Sequence, residues 1–217
     1  MQPDLLRAAT LALETLIRHR VSYAPISPLP ILKSTPGVIV LSYADMASTI
    51  GVERSCVLNN LSTETLDATT VVDLHGSRPR YLVGYNRQLP TYMADRALAR
   101  ELGHIILGHD GSRPEDVRTE EALTFARHLL IPRPLISLLA DARVPLTPGL
   151  LASITGCTDR CLSCLRASPG LPVPACLNRQ VRLQFGSYVA NLAACDRLIP
   201  SGPALEDLGT YMDQYEE

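Results

Sequence analysis

A stretch in the middle of the chain, RALARELGHIILGH at residues 96–109, carries residue types that could bind zinc and activate water. In the pattern H-E-x-x-H, two histidines four residues apart share a helix face and hold the ion, and the intervening glutamate holds the attacking water. Glu101 and His104 occupy the second and fifth positions of that pattern, but Arg100 occupies the first. A guanidinium stays protonated and offers no lone pair, so position 100 cannot ligate a metal.

A third ligand would have to come from another element, and Glu121 in EEALTFARHLLIP is placed to supply it. Two other histidines fit less well. His109 follows His104 by five residues, which on a continuous helix places it about 7.5 Å further along the axis and off the shared face. His128 lies too far along the helix from Glu121 to share one ion with it, and we expect a partly exposed helix histidine.

Arg100 leaves two interpretations open. At about 5 Å a guanidinium would repel Zn²⁺ by roughly 7 kcal/mol at an effective dielectric of about 20, so zinc would bind only if Arg100 moved aside and an outside ligand came in. Alternatively, Arg100 replaces the charge of the metal and lies between Glu101 and Glu121, forming paired ion bridges without catalysis.

Cysteines form a second cluster in the C-terminal third of the chain, at Cys157, Cys161, Cys164 and Cys176. Four thiolates can hold a structural zinc ion. The first three also fall on one helical stripe, where cysteine packs as a small hydrophobic residue, and we favour that interpretation. A redox pair is a third alternative. Cys56 and Cys195 are predicted to be interior residues.

Composition bounds the rest. The chain has 217 residues, a hydrophobic fraction of 46% and a formal net charge of −2, which are typical of a globular protein with one full domain and a smaller appendage. The near-zero charge argues against a nucleic-acid partner. We find no signal peptide and no apolar run of membrane-spanning length, so we expect a cytoplasmic protein with cysteines that are not disulfide-bonded.

The elements that must position these residues can be predicted from periodicity. Residues 3–20 have apolar side chains at helical spacing, whereas the proline-rich stretch YAPISPLPILKSTPG is predicted to be extended and not helical. A strand at 38–43 and a helical pattern at 44–60 follow. Two strand-like runs at 70–76 and 80–86 form a hairpin, and helices are predicted at about 92–108 and 117–130.

The region after residue 141 is predicted to be a helical tail. LTPGLLASITGCTDRCLSCLRASPG has the outline of a helix-turn-helix bent at Gly156, but its second helix has few cations, so packing is favoured over DNA binding. A final helix is predicted at 177–198.

The order of these pieces resembles the ImmA/IrrE family of zincin-type metallopeptidases. The resemblance rests on Tyr85-Asn86, Leu102-Gly103-His104, Leu107-Gly108-His109, Glu121-Ala122, Phe125-Ala126 and Leu129-Leu130-x-Pro132. Two positions depart from the family pattern: Arg100 replaces a histidine, and Leu123 stands where asparagine or aspartate is preferred.

The resemblance implies an α+β zincin-like domain at residues 1–140, with a small antiparallel sheet and helices, and a helical tail at 141–217. It implies Glu101 as general base, and His104 and Glu121 as zinc ligands. Family members are bacterial or mobile-element proteins that act on a repressor, often one with a helix-turn-helix. We expect a protein that binds such a partner along an edge strand near 80–86, with impaired proteolysis. The alternative is an active zinc endopeptidase.

Overall fold

The first helix packs the N-terminal region onto the core. The computed structural model describes residues 2–50, 67–73, 79–110, 112–155 and 170–198. Helix α1 spans Leu5–Arg18, within the predicted range, and begins where the Asp4 carboxylate accepts a hydrogen bond from the Arg7 N–H at 2.9 Å. Its apolar face is buried through Ala8, Ala9, Ala12, Leu13 and Leu16.

The proline-rich stretch was wrongly predicted to lack a helix. Helix α2 spans Pro28–Ser34, with Pro28 and Pro30 in its first turn. The first four N–H groups of a helix have no partner within it, so proline there costs no hydrogen bond. Ile31 and Leu32 are the buried side chains that this short helix contributes to the core.

The sheet is mixed in the described residues, with β3 in the centre. Its strands are β1 Val38–Ser42, β2 Ala68–Asp73 and β3 Arg80–Tyr85, in the order β1-β3-β2. The predicted antiparallel hairpin of β2 and β3 is confirmed, and the turn residues 74–78 lie outside the described ones. The prediction of a purely antiparallel sheet is wrong, because β1 runs parallel to β3.

Tyr81 illustrates the arrangement, since it pairs with Val38 on one side and Val72 on the other. Residues 80–86 therefore do not form an edge strand, and that prediction is wrong. In the described part of the chain the outer strands are β1 and β2. Local sequence patterns predict where strands lie, but they do not predict the order in which the strands pair. That order depends on the long connections between the strands. The connection after β1 starts with helix α3, Tyr43–Ile50.

Two packed helices carry the predicted site residues Glu101, His104 and Glu121. Helix α4 spans Thr91–Leu107 and helix α5 spans Glu115–Leu130, both close to the predicted bounds. They approach closely at Gly103, where an added Cβ would lie 3.1 Å from Phe125 Cδ1 and 3.2 Å from the Ala122 carbonyl oxygen. Glycine at this point lets the two helix backbones approach each other.

The described part of the tail shares the core of the preceding domain. Helices α6 Arg133–Asp141, α7 Pro148–Thr155 and α8 Ala175–Leu198 follow. The predicted final helix is confirmed, and its residues Val181, Phe185 and Val189 lie in the same buried cluster as α1. An α+β domain followed by a helical tail is thus confirmed. The second half of the predicted helix-turn-helix lies outside the described residues, and the boundary at residue 140 stays a prediction.

Cys195 is exposed and not interior as predicted, because it lies on a solvent-facing position of α8. Cys176, at the start of that helix, is also an exposed free cysteine. Cys56 and the other three cysteines of the cluster lie outside the described residues; the three are Cys157, Cys161 and Cys164. Their packing therefore stays a prediction. Among the described helices, none combines the length and hydropathy needed to cross a bilayer.

Candidate functional site

The α4 helix brings Glu101 against the outer strand β2, where both of its carboxylate oxygens are engaged. The Thr70 hydroxyl donates to Glu101 Oε2 at 2.7 Å. Arg100 donates to Glu101 Oε1 from Nη2 at 2.9 Å and from Nε at 3.2 Å, and its Nη2 also lies 3.3 Å from the Ala68 carbonyl oxygen. Burial raises the pKa of Glu101, and the Thr70 and Arg100 contacts partly oppose that shift. The guanidinium of Arg100 therefore lies against the carboxylate of Glu101, the predicted general base.

The end of α4 brings His109 back onto His104. Gly108 has φ 69°, a left-handed conformation, and the His109 N–H donates to the His104 carbonyl oxygen at 3.0 Å. The two imidazoles then meet with 2.8 Å between their Nδ1 atoms. Our expectation for His109 assumed that the helix continued through it, and it is wrong because the helix ends at Leu107. The glycine directly after the apolar pattern was the available signal.

Glu121 is fully buried and holds four hydrogen bonds. Its Oε1 accepts from the Asp4 backbone N–H at 2.8 Å and from Arg113 Nη1 at 3.0 Å, and its Oε2 lies 3.1 Å from the same Nη1 and 2.9 Å from His109 Nε2. Burial alone would raise the pKa of this carboxyl, but the Asp4, His109 and Arg113 contacts together lower it.

The prediction that Arg100 pairs with both Glu101 and Glu121 is therefore correct for Glu101 and wrong for Glu121. Arg100 pairs with Glu101 as expected, whereas the cation on Glu121 is Arg113. Arg113 lies in the connection between α4 and α5, where helical periodicity gives no guide to side-chain placement. The sequence contained no signal for this contact, nor for the Asp4 backbone N–H that arrives from 117 residues away.

His104 and His109, which form a side-chain cluster with Glu121 and Glu101, are both neutral near pH 7. Burial, together with smaller effects of His109, Arg100 and Arg118, lowers the pKa of His104 to about 4. Burial also lowers the pKa of His109, against the opposing effect of Glu121. Neutral imidazoles each keep one nitrogen lone pair, and the hydrogen bond at the other nitrogen decides which one.

His128 takes no part in this cluster. It is buried, with Nδ1 2.9 Å from the Thr124 carbonyl oxygen, so the expectation of a partly exposed side chain is wrong. The hydrogen bond to the preceding helical turn satisfies one ring nitrogen and permits its burial in the helix packing.

A cavity of about 300 Å³ opens beside the cluster. Its walls include Thr70 and Val72 of β2, Tyr81 of β3, and Glu101, His104 and Arg118 of the two helices. Arg100 lies on the wall of a different cavity of about 130 Å³, together with Leu123. The apolar Leu123 and the cation of Arg100 thus line the same cavity.

Residues 60–145 match a peptidase-family model described as the IrrE N-terminal-like domain. This part of the chain is therefore similar to the ImmA/IrrE family. No curated protein and no solved structure has significant similarity to the chain. The match contains β2, β3, α4, α5 and α6, so the IrrE-like domain includes every side chain of the cluster and excludes Asp4.

The IrrE-like site does not fit zinc in this arrangement. Arg100 has no donor atom for a metal, and it occupies Glu101 Oε1. Both oxygens of Glu121 are held by cationic or N–H donors, and His104 Nδ1 is bonded to His109. Within the described ranges no group of three or more histidine, cysteine or acidic side chains has the geometry to hold a metal ion.

Proposed function

We propose that this IrrE-like domain has lost zinc-dependent hydrolysis and acts by binding a partner protein. The observation that carries the proposal is the ion pair at 2.9 Å between Arg100 and Glu101, which joins the first ligand position to the general-base position. The family resemblance implies a repressor with a helix-turn-helix as the kind of partner. In that case the residues at the former catalytic positions keep only a structural role; they are Glu101, His104 and Glu121.

Loss of hydrolysis follows from charge and from ligand number. A zinc ion at this site would face a guanidinium at about 5 Å, a repulsion of roughly 7 kcal/mol at an effective dielectric of about 20. Removing Arg100 from Glu101 would also leave that buried carboxylate without its cation. His104 and Glu121 alone supply too few ligands to offset both costs.

Binding is supported by the position of β2. It is an outer strand in the described residues, and Thr69, Thr70 and Val72 place it along the cavity of about 300 Å³. An outer strand offers unpaired backbone groups to an extended peptide, and an adjacent cavity can accept a side chain or chain end. We infer that a partner segment pairs with β2 and inserts into this cavity.

Zinc content tests the loss of hydrolysis. Wild-type protein purified without a chelator or a histidine tag is expected to hold no stoichiometric zinc by plasma mass spectrometry. Arg100→His supplies an imidazole and removes a cation, so its zinc content should rise. Arg96→His is the matched control, because Arg96 lies one turn earlier on the same helix and is exposed.

Two results would contradict this proposal. Stoichiometric zinc in the wild type that disappears in Glu121→Gln would mean that an active endopeptidase site survives. Equal zinc content in wild type and Arg100→His would mean that position 100 is not what prevents binding. The binding function separately requires that an uncharged extended peptide, acetyl-Ala-Val-Ala-Gln-Ala-Val-amide, shift the amide NMR signals of β2.

A further inference from the structure

Backbone hydrogen bonds determine which groups of β2 face away from the sheet. The Asn86 N–H donates to the Asp67 carbonyl oxygen at 2.8 Å, next to the first residue pair of the β2–β3 ladder. In an antiparallel pair, residues that exchange such bonds alternate with residues whose N–H and C=O groups point to the other side. The register therefore directs the backbone groups of Ala68, Thr70 and Val72 away from β3.

The opposite side of β3 agrees with this assignment. The Tyr81 N–H donates to the Gly37 carbonyl oxygen at 2.8 Å, so the backbone groups of Tyr81 face β1. Val72 lies opposite Tyr81 in the β2–β3 register. Because Tyr81 directs its backbone groups away from β2, those of Val72 lie on the outer edge of the sheet.

Arg100 occupies one of the three outward-facing positions. Its Nη2 lies 3.3 Å from the Ala68 carbonyl oxygen, while the same guanidinium pairs with Glu101. At Thr70 and Val72, by contrast, no group in the described ranges hydrogen-bonds to the outward N–H and C=O. The part of the β2 edge that stays available to a ligand therefore consists of the backbone groups of Thr70 and Val72.

The two cavities of the site adjoin β2 on either side of Ala68. Asp67 and Arg100 line the cavity of about 130 Å³. Thr70 and Val72 line the cavity of about 300 Å³. Since Arg100 is bonded to the Ala68 carbonyl oxygen, its guanidinium lies at the boundary between the two cavities. A strand that lies along the larger cavity therefore meets this guanidinium at one end.

We propose that Arg100 is a positioning residue that ends the peptide-binding edge of β2. By holding the Ala68 carbonyl oxygen, it restricts a bound extended peptide to backbone pairing with Thr70 and Val72 and keeps it out of the smaller cavity. In antiparallel pairing, which is the more stable arrangement, the C-terminal side of the peptide reaches Arg100. The ligand is thus an extended segment of about three paired residues that ends or turns away on that side. The inference deepens the proposed peptide-binding function and rests on it.

The contact of Arg100 with Ala68 is tested first, on the protein without a peptide. Arg100→Met/Glu101→Gln removes every donor at position 100, together with the carboxylate that would otherwise be buried without a cation. Glu101→Gln alone is the matched control, because it retains Arg100. The Ala68 carbonyl ¹³C signal should lie upfield in the double variant relative to the control, since loss of a hydrogen bond shields the carbonyl carbon. An unchanged signal would overturn the proposal.

Peptide length tests the consequence of the contact. Acetyl-Ala-Val-Ala-amide is long enough to pair with Thr70 and Val72, and acetyl-Ala-Val-Ala-Gln-Ala-Val-amide extends past them. In NMR titrations of the wild type and of Glu101→Gln, the dissociation constants of the two peptides should agree within about twofold. In the double variant the longer peptide should bind about three- to tenfold more tightly, because it gains a backbone hydrogen bond to Ala68. An equal gain in all three proteins would reject Arg100 as the limit of the edge.

The wild type provides a readout that depends on no substitution and separates this inference from the proposed function. The longer peptide should shift the carbonyl ¹³C signals of Thr70 and Val72 and leave that of Ala68 in place. A shift at Ala68 as large as that at Thr70 would mean that the peptide displaces Arg100, which keeps the groove and rejects the inference. Absence of any shift at Thr70 and Val72 in all three proteins would reject the groove and the inference with it.

Discussion

Arg100 sets the electrostatic surroundings of the buried Glu101 carboxylate. The guanidinium has no lone pair to offer a metal, and it pairs with the Glu101 carboxylate at 2.9 Å. Leu123, beside it on the smaller cavity, presents no competing polar group. The buried Glu101 carboxylate thus has a cation and a hydroxyl as partners.

Glu121 should contribute to stability whatever the activity. Glu121→Gln removes the charge that holds Arg113 and His109, which we expect to lower the free energy of unfolding by roughly 2–3 kcal/mol. The loss stays moderate because Arg113 is exposed enough to be rehydrated. Urea unfolding of both proteins measures it. Glu120→Gln, at the exposed neighbouring position, is the control and should unfold like the wild type. Equal midpoints for both variants would show that the buried network contributes nothing.

The end of helix α4 is the element that creates the histidine pair. A helix continuing past Leu107 would carry His109 away from His104, whereas the left-handed Gly108 reverses the chain and returns the imidazole. Arg7 of α1 donates to the Leu107 carbonyl oxygen at 3.3 Å, so a second element satisfies the free helix end. Termination of one helix therefore sets the geometry of the site.

Two helical glycines should respond oppositely to alanine. Gly103→Ala places a Cβ against Phe125 and the Ala122 carbonyl oxygen, so the gain in helix propensity is outweighed and the free energy of unfolding should fall by about 1–2 kcal/mol. Gly186 in α8 has nothing within 4 Å of an added Cβ. Gly186→Ala should therefore raise the free energy of unfolding by roughly 0.5–1 kcal/mol. Thermal unfolding of both variants measures the effects, and stabilisation by Gly103→Ala would contradict the close helix approach.

The N-terminal end of the chain contributes a contact to the cluster. The Asp4 backbone N–H reaches Glu121 across the sequence, and α1 packs in the same core as α5 and α8. The IrrE-like match begins at residue 60, so part of the support for Glu121 comes from outside the matched segment. The isolated matched segment would lack this donor.

Stability should decline in mild acid because the described histidines have lowered pKa values, chiefly through burial. The folded protein keeps them neutral, while the unfolded chain takes up protons below about pH 6.5. The free energy of unfolding is therefore highest above that pH and falls towards pH 5. For His104, with a pKa of about 4, the loss at pH 5 is at most about 2 kcal/mol.

Urea titrations at pH 7.5 and pH 5 measure this decline. The raised pKa of Glu101 acts in the opposite direction, since the folded state takes up that proton first. Comparison with His104→Gln isolates the histidine, because the variant should lose less stability between the two pH values. An equal decline in both proteins would mean that His104 is already protonated in the folded state.

The sequence by itself determined the positions of most of the described helices and strands and the resemblance to the family. Apolar periodicity located α1, α4, α5 and α8, because each buries one face. The ordered matches that run from Tyr85-Asn86 to Leu129-Leu130-x-Pro132 carried the resemblance to the family, which the family-model match supports. These features are local, or they depend on residue types whose chemistry is the same in any fold.

The tertiary structure alone decided which charges meet. Arg113 takes the Glu121 carboxylate that Arg100 was expected to share, and His109 joins the cluster from a reversed chain. The outer strand that lines the cavity is β2, because β1 pairs in parallel with the other side of β3. Each of these contacts links segments through turns or long connections, whose paths are set by packing and not by helical or strand periodicity.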